Sequence, residues 1–280
     1  MVQVGIMHGR LTPRGSGSFQ CFPADSWRKE FSHARDAGLA CIEWIYEVPN
    51  EARNPLGSAE GIAEMKALSA QTGVGVRSVC ADYFMTDQLL DSDGKPIARN
   101  LEKLRALLSR AAELGVTYIV LPFVDPSTLG TKARIAGATA LLRQLGGEGQ
   151  AAGVELHLET DLPPADFATL LAAIASPWVK ANFDIGNSAS LGYDPAVELP
   201  ALAPYLGSVH VKDRVLGGST VPLGTGNARF ETVFRELHRA GFDRWYILQA
   251  ARGNDGEEVE LARRNREFVE RQVAAAAGLE

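Results

Sequence analysis

Four polar residues, far apart in the chain, each close a short apolar run: Glu159 ends LHLE, Asp184 ends ANFD, His210 ends SVH and Gln249 ends YILQ. Two carboxylates and a neutral imidazole are a donor set for one divalent ion of the Mn, Mg, Co or Zn kind. The amide oxygen of Gln249 offers an uncharged fourth ligand, and two acids balance the ion's double charge. Each residue also has a plainer reading. His210 can be a core histidine bonded to a carbonyl, and Glu159 and Asp184 can be helix N-caps. The repetition across consecutive runs favours the metal set. The stretch 208–230, SVHVKDRVLGGSTVPLGTGNARF, carries the densest chemistry. Lys212, Asp213 and Arg214 follow His210 at once, a Gly-rich loop comes next, and a helical pattern starts near Asn227. In parallel α/β proteins ligands bind at such a strand tip.

These residues need a frame to bring them together. Strand patterns fall at 2–7, 41–45, 74–79, 118–122, 154–159, 179–184, 208–211 and 245–249. Helical periodicity fills 26–37, 58–72, 97–114, 132–152, 164–175, 194–203, 228–240 and 255–276. Strands that alternate with helices predict a parallel sheet, because parallel neighbours need crossovers. A doubly wound sheet expects a G-x-G-x-x-G turn after its first strand, and Gly5-Ile6-Met7-His8-Gly9 is not one. A closed (β/α)8 TIM barrel of about 250 residues fits the 280-residue chain. It also explains why polar residues gather at strand ends: His8 and Arg10, Glu43, Asp82, Asp125, and the four named first. No linker divides the chain, so one domain spans 1–280. Long loops are expected at 11–24 and 82–96, over the mouth. Gly146-Gly147 predicts a break or kink in the fourth helix. His157 alternates with Glu159 and shares its side of the strand. Trp44, Phe84 and Phe123 read as packing residues.

Composition removes several classes. A formal charge of −6 provides no basic field for nucleic acid. No run of about 18 apolar residues predicts a membrane span. Cys21, Cys41 and Cys80 are few, odd and widely spaced, which favours a reducing compartment. The start MVQVGIMHGR has no secretory signal pattern and reads as a first strand. A cytoplasmic protein acting on a small molecule is the expectation.

Taken together, GIMHGRLTP, CIEWIYEVPNEARNPL, CADYF, ETDL, FDIGNSASLGYDP, HVKDRVLGGSTVPLGTGN and QAARG resemble one family over nearly the whole chain. It is the xylose-isomerase-like barrel superfamily of sugar and sugar-phosphate isomerases and epimerases, within it a bacterial subgroup described as hexulose-phosphate isomerases. The resemblance implies the barrel, one divalent metal ion and a sugar or sugar phosphate chelated through two oxygens. It implies metal-ligand roles for Glu159, Asp184, His210 and Gln249, and it allows a homo-oligomer.

Two positions depart from that pattern. Many members have Glu where this chain has Gln249, which takes no proton at neutral pH. Many have His where it has Asn187. Epimerisation needs a proton carrier on each face of the sugar, whereas isomerisation through an enediol runs with one base. The departure therefore tilts the reading toward isomerisation, with Glu159 as base and Lys212 as electrophile or second proton carrier. Asp82 or Glu43 can supply the missing acid. His8, Arg10, Glu43, Asp82, Asn187, Arg214 and Arg252 are the expected substrate contacts. Arg214, Arg252 and the loop Gly224-Thr225-Gly226-Asn227 are candidates to seat a phosphate. A keto-polyol dehydratase and a non-catalytic sugar-binding barrel are the alternative functions. An abasic-DNA endonuclease fits the fold but not the acidic charge.

Overall fold

Strands that are apolar on both faces can be stable only between two layers, and here they close into a cylinder ringed by helices. In the computed structural model, which describes residues 2–14 and 20–278, chain order runs as follows. First come β1 (Val4–Met7), α1 (Trp27–Asp36), β2 (Cys41–Ile45), α2 (Ala59–Thr72) and β3 (Gly75–Cys80). A short α3 (Tyr83–Thr86) precedes α4 (Ala98–Leu114), β4 (Tyr118–Phe123), α5 (Lys132–Ala152), β5 (Glu155–Thr160) and α6 (Pro164–Ile174). Then follow β6 (Val179–Asp184), α7 (Ile185–Leu191), α8 (Pro195–Leu202) and β7 (Leu206–Val211). A two-stranded ribbon of β8 (Asp213–Arg214) and β9 (Thr220–Val221) leads to α9 (Phe230–Arg239), β10 (Tyr246–Leu248) and α10 (Glu258–Ala276).

The barrel closes in the order β1-β10-β7-β6-β5-β4-β3-β2, every pair parallel. Register sets the site: Asp184 pairs with His210, Met7 with Glu43, and Pro122 with Glu159. The ladder slips between Ile42 and Glu43 and again between Ala181 and Asn182. Such bulges re-aim the side chains beside them, and each lies within three residues of a polar group at the mouth. Below the mouth the cylinder is filled. Tyr118 stacks on His157 with ring centroids 4.1 Å apart. His157 and Asn182 both bond the Ser208 hydroxyl, at 2.8 Å each. His157 therefore does share the inward side with Glu159, but one layer deeper, and burial lowers its pKa to about 4.

Two local expectations change. α5 runs unbroken through Gly146 and Gly147. A Cβ on Gly146 would lie 2.4 Å from Ser176 Oγ, so this glycine permits close packing. α7 lies in a segment given no helix by periodicity. It starts because the Asp184 carboxylate accepts the Asn187 amide at 2.8 Å, an N-cap made by a strand-end acid. Residues 15–19 of the loop expected at 11–24 lie outside the described residues. Among the described residues no helix is long and apolar enough to cross a membrane.

Candidate metal centre and active site

Glu159, Asp184 and His210 converge at the C-terminal mouth, with one ligand atom from each within 4.8 Å of the others. His210 Nδ1 is 3.6 Å from Glu159 Oε2 and 3.8 Å from Asp184 Oδ2. On its other side His210 Nε2 lies 2.7 Å from Glu43 Oε1. A carboxylate oxygen can only accept, so Nε2 carries a proton toward Glu43, and a cation that binds at Nδ1 displaces the proton held there. Glu43's second oxygen accepts from Ser78 Oγ at 2.7 Å. Glu43, His210 and Ser78 are all 0 % exposed. Burial disfavours a charged imidazole, yet Glu43, Asp184 and Glu159 together hold its pKa well above the ordinary value.

The donor set fits a divalent ion. His210 Nδ1 and Asp184 Oδ2 are buried and make no hydrogen bond among the described residues, which is costly unless a cation satisfies them. Three carboxylates crowd one imidazole, so the pocket calls for positive charge. A lysine answers part of that demand. Lys212 Nζ lies 2.7 Å from Asp184 Oδ2, an ionic contact off the hydrogen-bonding angle, and donates to Gln249 Oε1 at 2.8 Å. Burial opposes ionisation of Asp184, but Lys212 and His210 outweigh it and keep its pKa well below the usual range. Gln249, expected as the fourth ligand, thus lies across Lys212 from the triad. The lysine, expected as an electrophile or second proton carrier, is paired with Asp184 here.

A second set of contacts fixes Glu159. Asn187 Nδ2 donates to Glu159 Oε1 at 2.6 Å, and Arg214 Nη1 donates to Asn187 Oδ1 at 2.9 Å. Arg214 also holds the carbonyl of Gly218 in its own ribbon. Both residues therefore reach the centre through Glu159. On the far side Gln20, which sequence patterns gave no reason to single out, links three positions. Its Nε2 donates to Asp82 at 2.6 Å, and its Oε1 accepts from Gln249 at 2.9 Å and from Arg10 at 3.4 Å. Burial lifts Asp82 to about 6.

The loop after β1 is tied down by Glu30 of α1, another residue without a sequence signal. Its carboxylate accepts from Gly9 N, Leu11 N and Thr12 Oγ1 at 2.6, 3.3 and 2.8 Å. His8 is not brought to the mouth. It stacks on Trp44 at 3.9 Å with Phe22 at its edge, 3.8 Å from Glu30, and burial keeps it neutral. Arg10 donates to the carbonyl of Ala250 at 3.3 Å and Arg252 to that of Thr12 at 3.3 Å. The phosphate seat expected at Gly224–Asn227 is corrected by Asp213. Its carboxylate accepts from Gly224 N, Gly226 N and Ala228 N at 2.8–3.0 Å, so the chain fills that anion hole itself.

Comparison with known proteins agrees with this frame. A family model described as xylose isomerase-like TIM barrel matches residues 31–272. The L-ribulose-5-phosphate 3-epimerase UlaE of Salmonella heidelberg (strain SL476) is 26% identical over 270 residues, 91% of this chain and 93% of that one. The crystal structure of D-allulose 3-epimerase from Methylomonas sp. in complex with D-allulose superposes with a TM-score of 0.76 at 17% identity, covering 97% of both chains. A structure of L-ribulose 3-epimerase gives 0.74 at 19% identity, covering 99% of this chain and 96% of that one.

Proposed function

Because this chain belongs to the xylose isomerase-like TIM barrel family, we propose that it is a sugar epimerase or isomerase, and more narrowly a 3-epimerase of a ketose phosphate. The observation that carries this reading is that Glu159 and Lys212 both reach one buried centre, each beside Asp184. Glu159 enters from β5 and Lys212 from the end of β7, on either side of Asp184 on β6. A reaction that inverts a carbon beside a carbonyl needs two proton carriers that approach from different sides.

A divalent ion held by Glu159, Asp184 and His210 supplies electrophilic polarisation of a carbonyl and its neighbouring hydroxyl when bound. The protein's own residues do the rest. Glu159 takes the proton from the carbon beside the carbonyl, and Asn187 holds the carboxylate in place. Lys212 returns a proton to that carbon from its own side. A proton then passes from Glu159 to Lys212 through mouth water, which restores both groups. Gln249 cannot carry a proton but positions the Lys212 ammonium through its amide oxygen. Glu43, buried behind His210, orients that ring and takes no part in proton transfer.

One observation favours a second reading. Gln249 removes an acid that a two-base scheme elsewhere supplies, so a one-base aldose–ketose isomerisation by Glu159 alone remains the competitor. Incubation with a ketose phosphate in D₂O separates the two by NMR: deuterium at C3 of an epimer, or at C2 of an aldose. A product with one hydroxyl fewer means dehydration instead. The residue test is Glu159→Gln and His210→Ala, assayed separately for turnover and bound metal. Full activity in both variants, or no C–H exchange by the wild type with any ketose or ketose phosphate, rejects the enzymatic reading and leaves a sugar-binding barrel.

A further inference from the structure

Three arginines border one cavity on the β1–β10 side of the mouth. It has a volume of about 330 Å³, at the low end of the roughly 300–1,000 Å³ common for small-molecule sites. Arg10 enters from the loop after β1, Arg14 from further along it, and Arg252 from the loop after β10. Thr220 of the ribbon and Asn265 of α10 add neutral hydrogen-bonding groups to the same wall. Asp255 and Glu258 also border it, and Glu258 is engaged with the Gly256 amide at 3.1 Å.

We propose that this cavity is the anion subsite of the enzyme and that Arg10, Arg14 and Arg252 seat the phosphoryl group of the substrate. The inference rests on the ketose-phosphate reading and extends it to residues. Like charges held this close in a partly buried place favour an anion between them. Arg10 is 7 % exposed, and burial and then Arg252 beside it lower its pKa to about 9, although Glu30 and Asp82 pull the other way. The alternative seat, the amide cluster at Gly224–Ala228, is already taken by Asp213.

Side-chain contacts link the wall of the cavity to the chemistry. From Asp184 a chain of contacts runs through Lys212, Gln249 and Gln20 to Arg10, each link 3.4 Å or shorter. A short extended molecule with its carbonyl end at the triad and its phosphoryl end against the arginines follows that line. An unphosphorylated ketose leaves the far end of the line empty, so the subsite selects for the phosphate ester.

The test is the ratio of kcat/KM for a ketose 5-phosphate to that for the matching free ketose, in wild type, Arg252→Gln and Arg14→Gln. The proposal expects a wild-type ratio of a hundred or more, falling at least tenfold in each variant, mainly through KM of the phosphate ester. Inorganic phosphate should inhibit the wild type competitively and the variants weakly. A wild-type ratio near one, or an unchanged ratio in both variants, overturns the subsite while leaving the epimerase reading intact. Should the wild type turn over neither sugar, the function fails separately, and thermal melting decides the subsite. Stabilisation by inorganic phosphate that is lost in Arg252→Gln upholds it, and no stabilisation of the wild type overturns it.

Discussion

Glu43 Oε1 lies 2.7 Å from His210 Nε2, with both side chains fully buried. This contact orients a strand histidine so that its Nδ1 faces Glu159 and Asp184. A carboxylate behind a ligating imidazole fixes its tautomer and raises its basicity. Glu43→Gln keeps the shape but removes the charge. Divalent-ion affinity, read by isothermal titration, should fall about 10–100-fold. Glu43→Ala also strands a buried imidazole, and denaturant unfolding should show a loss of about 3–5 kcal/mol.

On the proposed reading, Lys212 competes with a metal ion for Asp184. Its ammonium contacts Asp184 Oδ2, the oxygen that otherwise has no hydrogen bond. Lys212→Met should therefore bind Mn²⁺ more tightly than wild type by titration, yet lose turnover by about 10²–10⁴-fold as a proton carrier is removed. Weaker metal binding in this variant would show that the lysine supports the ion and does not oppose it.

Asn187 and Arg214 should act on the reaction through Glu159. Asn187→Ala frees one Glu159 oxygen and leaves Arg214 without that acceptor. The expected result is a lower kcat with a smaller change in KM, because the proposed base is misplaced while the sugar still binds. Arg214→Lys should retain more activity than Arg214→Ala.

Glu30 gives the fold a pH dependence of its own. Burial lifts its pKa from 4.5 to about 7, against three donors that pull it down. Between those values the native state holds a proton that the unfolded chain has released, so this residue's contribution to stability falls as pH rises from about 4.5 to 7. The difference corresponds to roughly 3 kcal/mol. His8, 3.8 Å away and kept neutral by burial, contributes with the opposite sign below pH 6.5. The difference between wild type and Glu30→Gln isolates the first effect. Thermal melts across that window should show the variant gaining on wild type as pH increases, and parallel curves would contradict the assignment.

The fold was legible because barrel strands and their helices carry different periodicities over long runs. Runs such as CIEWI and VKANFD match the observed strands to the residue, since turn and helix signals bound them on both sides. The triad was legible for the same reason: an acid or imidazole closing such a run has nowhere to go but the mouth. What stayed hidden depends on side-chain direction. No pattern tells that Lys212 crosses to Asp184 and Gln249, that Asp213 turns back into its own loop, or that Gln20 spans three strand ends. α7 was hidden because its start depends on one carboxylate cap and not on an amphipathic repeat. The Gly146-Gly147 pair suggested a kink because backbone propensity was visible and the close neighbour Ser176 was not.

The stacked pair of Tyr118 and His157 gives the molecule a floor. With that floor in place the catalytic chamber is a cul-de-sac, open at one end only. Whatever enters must leave by the same doorway, and water reaches Glu159 and Lys212 from the same direction. If the proposed reaction runs there, product that lingers obstructs the next substrate.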